Sequence, residues 1–79
     1  MWWMFKKLSD TDPIVLYAYS RGCRKLDGEV SINRDNGEIK LVRASVDDES
    51  SEYAKQVAVI KARHMIEQNY PDHSQIACG

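Results

Sequence analysis

The sequence predicts a small α+β domain, in which an antiparallel meander of three strands is followed by one long helix on a sheet face. Three observations support this β-β-β-α order. A run rich in β-branched and aromatic residues covers Ile14 to Tyr19, an Asn-Gly pair joins two alternating segments, and helical periodicity extends from about Glu49 to Asn69. A sheet covered by one helix is the layered arrangement that such an order favours.

Length and composition place residues 1–79 in a single domain. Hydrophobic residues make up 43% of the chain and charged residues 29%, which is typical of a globular protein. The formal net charge is −1, so no long-range field attracts nucleic acid or an acidic membrane. We therefore expect neither as a general partner.

The cysteine content and the N-terminus favour a cytoplasmic location. The only two cysteines are Cys23 and Cys78, whereas a small secreted domain normally contains several cysteine pairs. The first apolar residues precede Lys6 and Lys7, which is the reverse of a secretory signal. No apolar run approaches the roughly 18 residues of a membrane-spanning helix.

Residues Ile14 to Tyr19 are predicted to form a central strand. Both of their alternating sets are apolar, as expected for a strand that is covered on two sides. A cluster of turn formers from Ser9 to Pro13 precedes this strand. The segment Trp2 to Leu8 is too short for an assignment.

The Asn36-Gly37 pair predicts a β-hairpin within Leu26 to Ala44. With a two-residue loop, Arg34 faces Ile39, and the apolar residues of the two strands share one face of the sheet. These residues are Val30, Ile32, Ile39 and Leu41. A four-residue loop keeps the same parity and stays an alternative. A three-residue loop would split the apolar set between the faces.

The long helix carries two neighbouring apolar stripes. Asp48 is the predicted N-cap, and Asn69-Tyr70-Pro71 provides the stop. The first stripe, with Tyr53, Val57 and Ile60, is expected to cover the sheet. The second stripe then exceeds what one sheet contact needs. It consists of Ala54, Ala58, Ala62, Met65 and Ile66.

Surplus apolar surface predicts an interface with a second copy or with another protein. Small residues four apart let another backbone approach closely, and exposed aromatic residues at the N-terminus are unfavourable in water. The predicted interface consists of Trp2, Trp3, Phe5, Ala54, Ala58, Val59, Ala62, Met65 and Ile66. We expect an interaction module without catalytic activity, most simply a homodimer. The alternative is that the N-terminal aromatic residues close the core of their own chain.

The segment Arg21, Cys23, Arg24 and Lys25 is a candidate reactive-thiol or anion-binding loop. Three cations should stabilise a thiolate at Cys23. No histidine lies nearby in the sequence to act as a base, so we expect a solvated loop between strands. A thiol enzyme or redox sensor is the alternative hypothesis.

Two further hypotheses concern the tyrosines and the histidines. Tyr17 and Tyr19 share one face of the central strand, and exposed aromatic residues on a sheet can stack nucleic-acid bases. His64 and His73 form no closely spaced pair with each other or with a cysteine, so no metal site and no cofactor are predicted. The tail Ser74 to Gly79 either adds a short edge strand or is disordered, and we expect the strand.

Overall fold

The computed structural model describes residues 2–21, 25–45 and 51–77, which form one antiparallel sheet and one helix. The elements are β1 (Trp2–Thr11), β2 (Ile14–Arg21), β3 (Gly28–Asn33), β4 (Ile39–Arg43), α1 (Glu52–Glu67) and β5 (His73–Ala77). The sheet has the order β4-β3-β2-β1-β5, with antiparallel pairing between all neighbours. The predicted α+β class is confirmed, and so is the central place of β2. Four strands precede the helix instead of the predicted three.

The additional strand is β1, in the N-terminal segment that the sequence left unassigned. It lies between β2 and β5. Trp3 and Phe5 are buried on the face that the helix covers, whereas Met4 and Lys6 point to the opposite face. The alternation was hidden because Met4, on the outer face, is as apolar as its neighbours.

A β-bulge at Leu8 changes the alternation of β1. The pairing shifts between Lys7 and Ser9, so Leu8 is the extra residue. Lys7 pairs with Tyr17 and Asp10 pairs with Val15, so the bulge places Lys7 and Asp10 on the same face as the core of β2. A charged pair therefore stands where the apolar core ends.

The hairpin between β3 and β4 has a four-residue loop, which is the alternative to the predicted two-residue loop. Asn33 pairs with Glu38 across residues 34–37, and Gly37 adopts φ +72°, a conformation that glycine tolerates. Ile32 therefore faces Ile39 and Val30 faces Leu41, two residues away from the pairing that a two-residue loop would give. The predicted apolar face is confirmed because both loops have the same parity.

Helix α1 begins later than predicted. Ser51 is the N-cap, and its hydroxyl accepts a hydrogen bond from the Ala54 backbone N–H at 3.1 Å. The predicted start at Asp48 and Glu49 lies outside the described residues. At the other end, the Tyr70 N–H donates to the Met65 carbonyl at 2.7 Å, and Pro71 follows, as the predicted stop requires.

The sheet and the helix divide the core volume unequally. The sheet contributes four large rings, from Trp3, Phe5, Tyr17 and Tyr19, whereas the helix contributes Met65 and three alanines, Ala54, Ala58 and Ala62. Small residues on the helix leave space for the rings at native packing density. The prediction that Tyr53 and Ile60 cover the sheet is wrong, since both side chains are exposed, whereas Val57 packs against the core as predicted.

The four rings contact one another across β1 and β2. Trp3 and Phe5 each stack on Tyr19, both with centroid distances of 6.1 Å, and Phe5 meets Tyr17 edge-on at 6.4 Å. The Tyr19 hydroxyl accepts a hydrogen bond from the Ser45 N–H at 2.9 Å, and the Tyr17 hydroxyl donates to the Pro71 carbonyl at 2.6 Å. The two tyrosines thus hold the segments before and after the helix.

The C-terminal strand was predicted as a short edge strand, and β5 has this position. It pairs with β1 from Trp2–Ala77 to Lys6–His73. Ile76 is buried and joins the core cluster. Cys78 and Gly79 lie outside the described residues.

Gly28 generates the first testable prediction, because it pairs with Tyr19 and lies directly beneath its ring. A methyl group added at Gly28 would overlap the Tyr19 ring. We expect Gly28→Ala to lower the free energy of unfolding by about 1–3 kcal/mol through overpacking, measured by urea denaturation. Ser31→Ala on the same strand is the control, with an expected change below about 0.5 kcal/mol. An equal effect of both variants would contradict this role of Gly28.

Candidate functional site

Most of the predicted interface is the core of the chain itself. Trp3, Phe5, Ala54, Ala58, Ala62 and Met65 are all buried within the chain. Ile66 is half-buried and packs against the same core, and Val59 is half-buried on the flank of the helix. The backbone of Trp2 pairs with that of Ala77 in the sheet. The alanine stripe is therefore corrected from a docking surface to the contact between helix and sheet, and Trp3 and Phe5 close the core of their own chain.

The predicted thiol loop lies largely outside the described residues. This applies to Cys23 and Arg24, so the alternative of a reactive thiol stays a prediction. Arg21 ends β2 opposite Trp3, and Lys25 is exposed before β3.

Tyr17 and Tyr19 are buried beneath the helix, each with 0% of its surface exposed. Base stacking needs an open ring face. The feature that supported the nucleic-acid hypothesis is therefore absent from the surface of the folded chain.

A polar cluster connects the β1–β2 turn, the β3–β4 loop and the segment after α1. Arg34 Nη2 lies 2.7 Å from Asp10 Oδ2, and the Arg34 guanidinium stacks 4.6 Å from the centre of the Tyr70 ring. Lys7 Nζ lies 3.5 Å from Asp10 and 3.6 Å from Asp72. Each of these charges has a partner of opposite sign, so the cluster links three segments that are separate in the sequence.

The neighbouring Tyr17 hydroxyl remains protonated over a wide pH range. Burial, reinforced by the negative charge of Asp10, raises the pKa of Tyr17 to about 12. A hydroxyl that donates to the Pro71 carbonyl loses this hydrogen bond when it ionises. Tyr17 therefore acts as a hydrogen-bond donor at neutral pH and not as a nucleophile or base.

The first candidate surface is the outer side of α1. Tyr53 is 77% exposed and Ile60 is 57% exposed, and Val57 between them is half-buried, with part of its side chain packed against the core. These three residues, called the outer stripe below, follow one another at i, i+4 and i+7, so they share one side of the helix. The helical periodicity of the sequence contained this stripe, but the prediction placed it on the sheet.

The second candidate surface is a groove of about 550 Å³ between β1 and β5. Its lining residues, which define the sheet groove, are Met4, Phe5, Lys6, Leu26, His73, Ser74 and Gln75. Met4 pairs with Gln75 and Lys6 pairs with His73, on the sheet face opposite the helix. Sequence reasoning missed this groove because it depends on pairing between strands at opposite ends of the described chain.

Among the described residues, no group of three or more histidine, cysteine, aspartate or glutamate side chains stands close enough to hold a metal ion. No helix in this part of the chain has both the length and the apolar character needed to cross a bilayer.

Comparison with known proteins found no matching family model, no matching curated protein and no matching solved structure.

The raised pKa of Tyr17 predicts a loss of stability at alkaline pH. The unfolded chain releases the tyrosine proton near pH 10, whereas the folded chain keeps it to about pH 12. The contribution of Tyr17 is complete below pH 10 and decreases as the pH rises toward 12, by on the order of 2 kcal/mol. Urea unfolding of the wild type and of Tyr17→Phe between pH 8 and pH 11.5 measures it. The wild type should lose more stability than the variant, and parallel curves would contradict the assignment.

The two sides of α1 predict opposite effects of a new charge. Ala58 has 0% exposure, so Ala58→Glu buries a carboxylate without a partner and should cost more than about 3 kcal/mol, enough to unfold a small domain. Ile60→Arg, on the outer side, should change the free energy of unfolding by less than about 1 kcal/mol. Circular dichroism and urea denaturation distinguish the two variants. A folded Ala58→Glu protein would contradict the burial of the alanine stripe.

Proposed function

We propose that this chain is a self-associating protein-interaction module without catalytic activity, and that two copies pair through the outer stripes of their helices. The observation that carries the proposal is the exposure of Tyr53 and Ile60 on a helix whose other side already completes the core. Neither side chain contributes to that core. A contiguous apolar stripe of this kind marks a contact surface more often than an isolated exposed residue does.

The spacing of the outer stripe favours a second copy as the occupant. In an antiparallel pair with its two-fold axis between Gln56 and Val57, Tyr53 of one copy meets Ile60 of the other, and the same contact repeats on the other side of the axis. The stripe is therefore complementary to itself.

The size of the outer stripe determines how strong this association can be. A stable specific interface buries about 800 Å² on each partner. Two exposed side chains and one half-buried side chain supply only part of that area, so we expect a weak, reversible dimer with a dissociation constant of about 10⁻⁵–10⁻⁴ M. An interaction of this strength responds to the local concentration of the protein.

Sedimentation equilibrium from about 10 μM to about 1 mM tests the proposal, because this range spans the expected dissociation constant. The wild type should change from monomer to dimer, and Ile60→Arg should remain monomeric because it replaces the apolar side chain that meets Tyr53 of the other copy with a charged one. Val42→Arg is the matched control, since Val42 is 55% exposed, close to the 57% of Ile60, but lies on β4. This control should dimerise like the wild type.

A wild-type monomer at the highest concentration, or equal loss of dimer in Ile60→Arg and Val42→Arg, would overturn the proposal.

A further inference from the structure

The walls of the sheet groove follow from the register of β1 and β5. Met4 with Gln75 and Lys6 with His73 are neighbouring pairs whose side chains point away from the helix. The pair between them, Phe5 with Ser74, points to the helix side, and Phe5 is buried there. The backbone of this middle pair therefore forms the floor of the groove.

The size of the sheet groove suits a small molecule. Leu26, from the connection that precedes β3, completes the lining. The resulting volume of about 550 Å³ lies within the range of about 300–1,000 Å³ that is typical of small-molecule sites.

The charge of the sheet groove has one sign. Lys6 is exposed and makes no ion pair with a described residue, and His73 stands directly across from it. None of the described lining residues is acidic. Asp72, next to His73 in the chain, contacts Lys7, which belongs to the opposite sheet face. A cationic end thus adjoins the apolar side chains of Met4 and Leu26.

We propose that the sheet groove binds a small amphipathic carboxylate, with its carboxylate at Lys6 and its apolar chain against Met4 and Leu26. An ammonium group without a carboxylate partner favours an anion, and the neighbouring apolar walls favour a ligand with an apolar body. The groove and the outer stripe lie on opposite sides of the molecule. Binding at the groove is therefore independent of self-association, and each can be tested without the other.

Titration with dansyl-labelled undecanoate, followed by dansyl fluorescence, tests the inference. The probe should bind with a dissociation constant of about 10⁻⁶–10⁻⁴ M, and its methyl ester should bind at least threefold more weakly because the ester lacks the charge. Lys6→Gln should weaken the acid about three- to tenfold and leave the ester unchanged. Met4→Gln should weaken both compounds, because it makes an apolar wall polar.

Two control variants separate this site from other surfaces. Lys40→Gln removes a lysine from the same sheet face on β4 and should change the affinity by less than about twofold. Ile60→Arg alters the outer stripe and should have no effect on the probe. The inference is overturned if the acid and its ester bind equally, if Lys6→Gln and Lys40→Gln behave alike, if Ile60→Arg abolishes binding, or if the wild type does not bind.

Discussion

The packing of four aromatic rings on two adjacent strands is the constraint on which the rest of the structure depends. Trp3, Phe5, Tyr17 and Tyr19 fill the space between sheet and helix. Because the rings occupy so much volume on the sheet side, the helix contributes mainly small side chains above them, three alanines beside Met65. The same crowding makes Gly28 necessary beneath the Tyr19 ring. Tyr53 and Ile60 are left on the outer side of the helix, where they are available for contact with another molecule.

The tyrosines also connect this packing to the placement of the helix. Their rings are central to the core, while their hydroxyls reach its two ends. Tyr19 accepts a hydrogen bond from the Ser45 N–H ahead of α1, and Tyr17 donates one to the Pro71 carbonyl behind it. Beyond Pro71, the ion pair of Lys7 with Asp72 continues the same attachment. The packing of the aromatic rings and the polar contacts at both ends therefore act on the same helix. Together they determine which side of the helix faces solvent.

The sequence predicted those features that depend on short-range patterns. The parity of the β3–β4 hairpin, the central position of β2 and the stop at Pro71 follow from alternation, composition and turn residues. Strand β1 was missed because Met4 breaks the alternation of apolar and polar residues. The sequence placed Tyr53 and Ile60 against the sheet because helical periodicity identifies apolar stripes. It gives no information on the volume that the sheet leaves for them. The sheet groove could not be predicted, since no local pattern shows that β1 pairs with β5.

The position of β5 has a consequence for the order in which the fold opens. Strand β5 has one sheet neighbour, β1, and the two strands are joined through the whole of the intervening chain. Closing so long a loop has a high entropic cost, and an edge strand gains pairing on one side only. Partial opening should therefore release β5 first, while β1–β4 and the helix retain their aromatic core. In that state the wall formed by His73 and Gln75 is lost, whereas Tyr53 and Ile60 keep their positions. Any occupant of the groove would accordingly protect the amide hydrogens of β5 from exchange, whereas a partner on the helix would not.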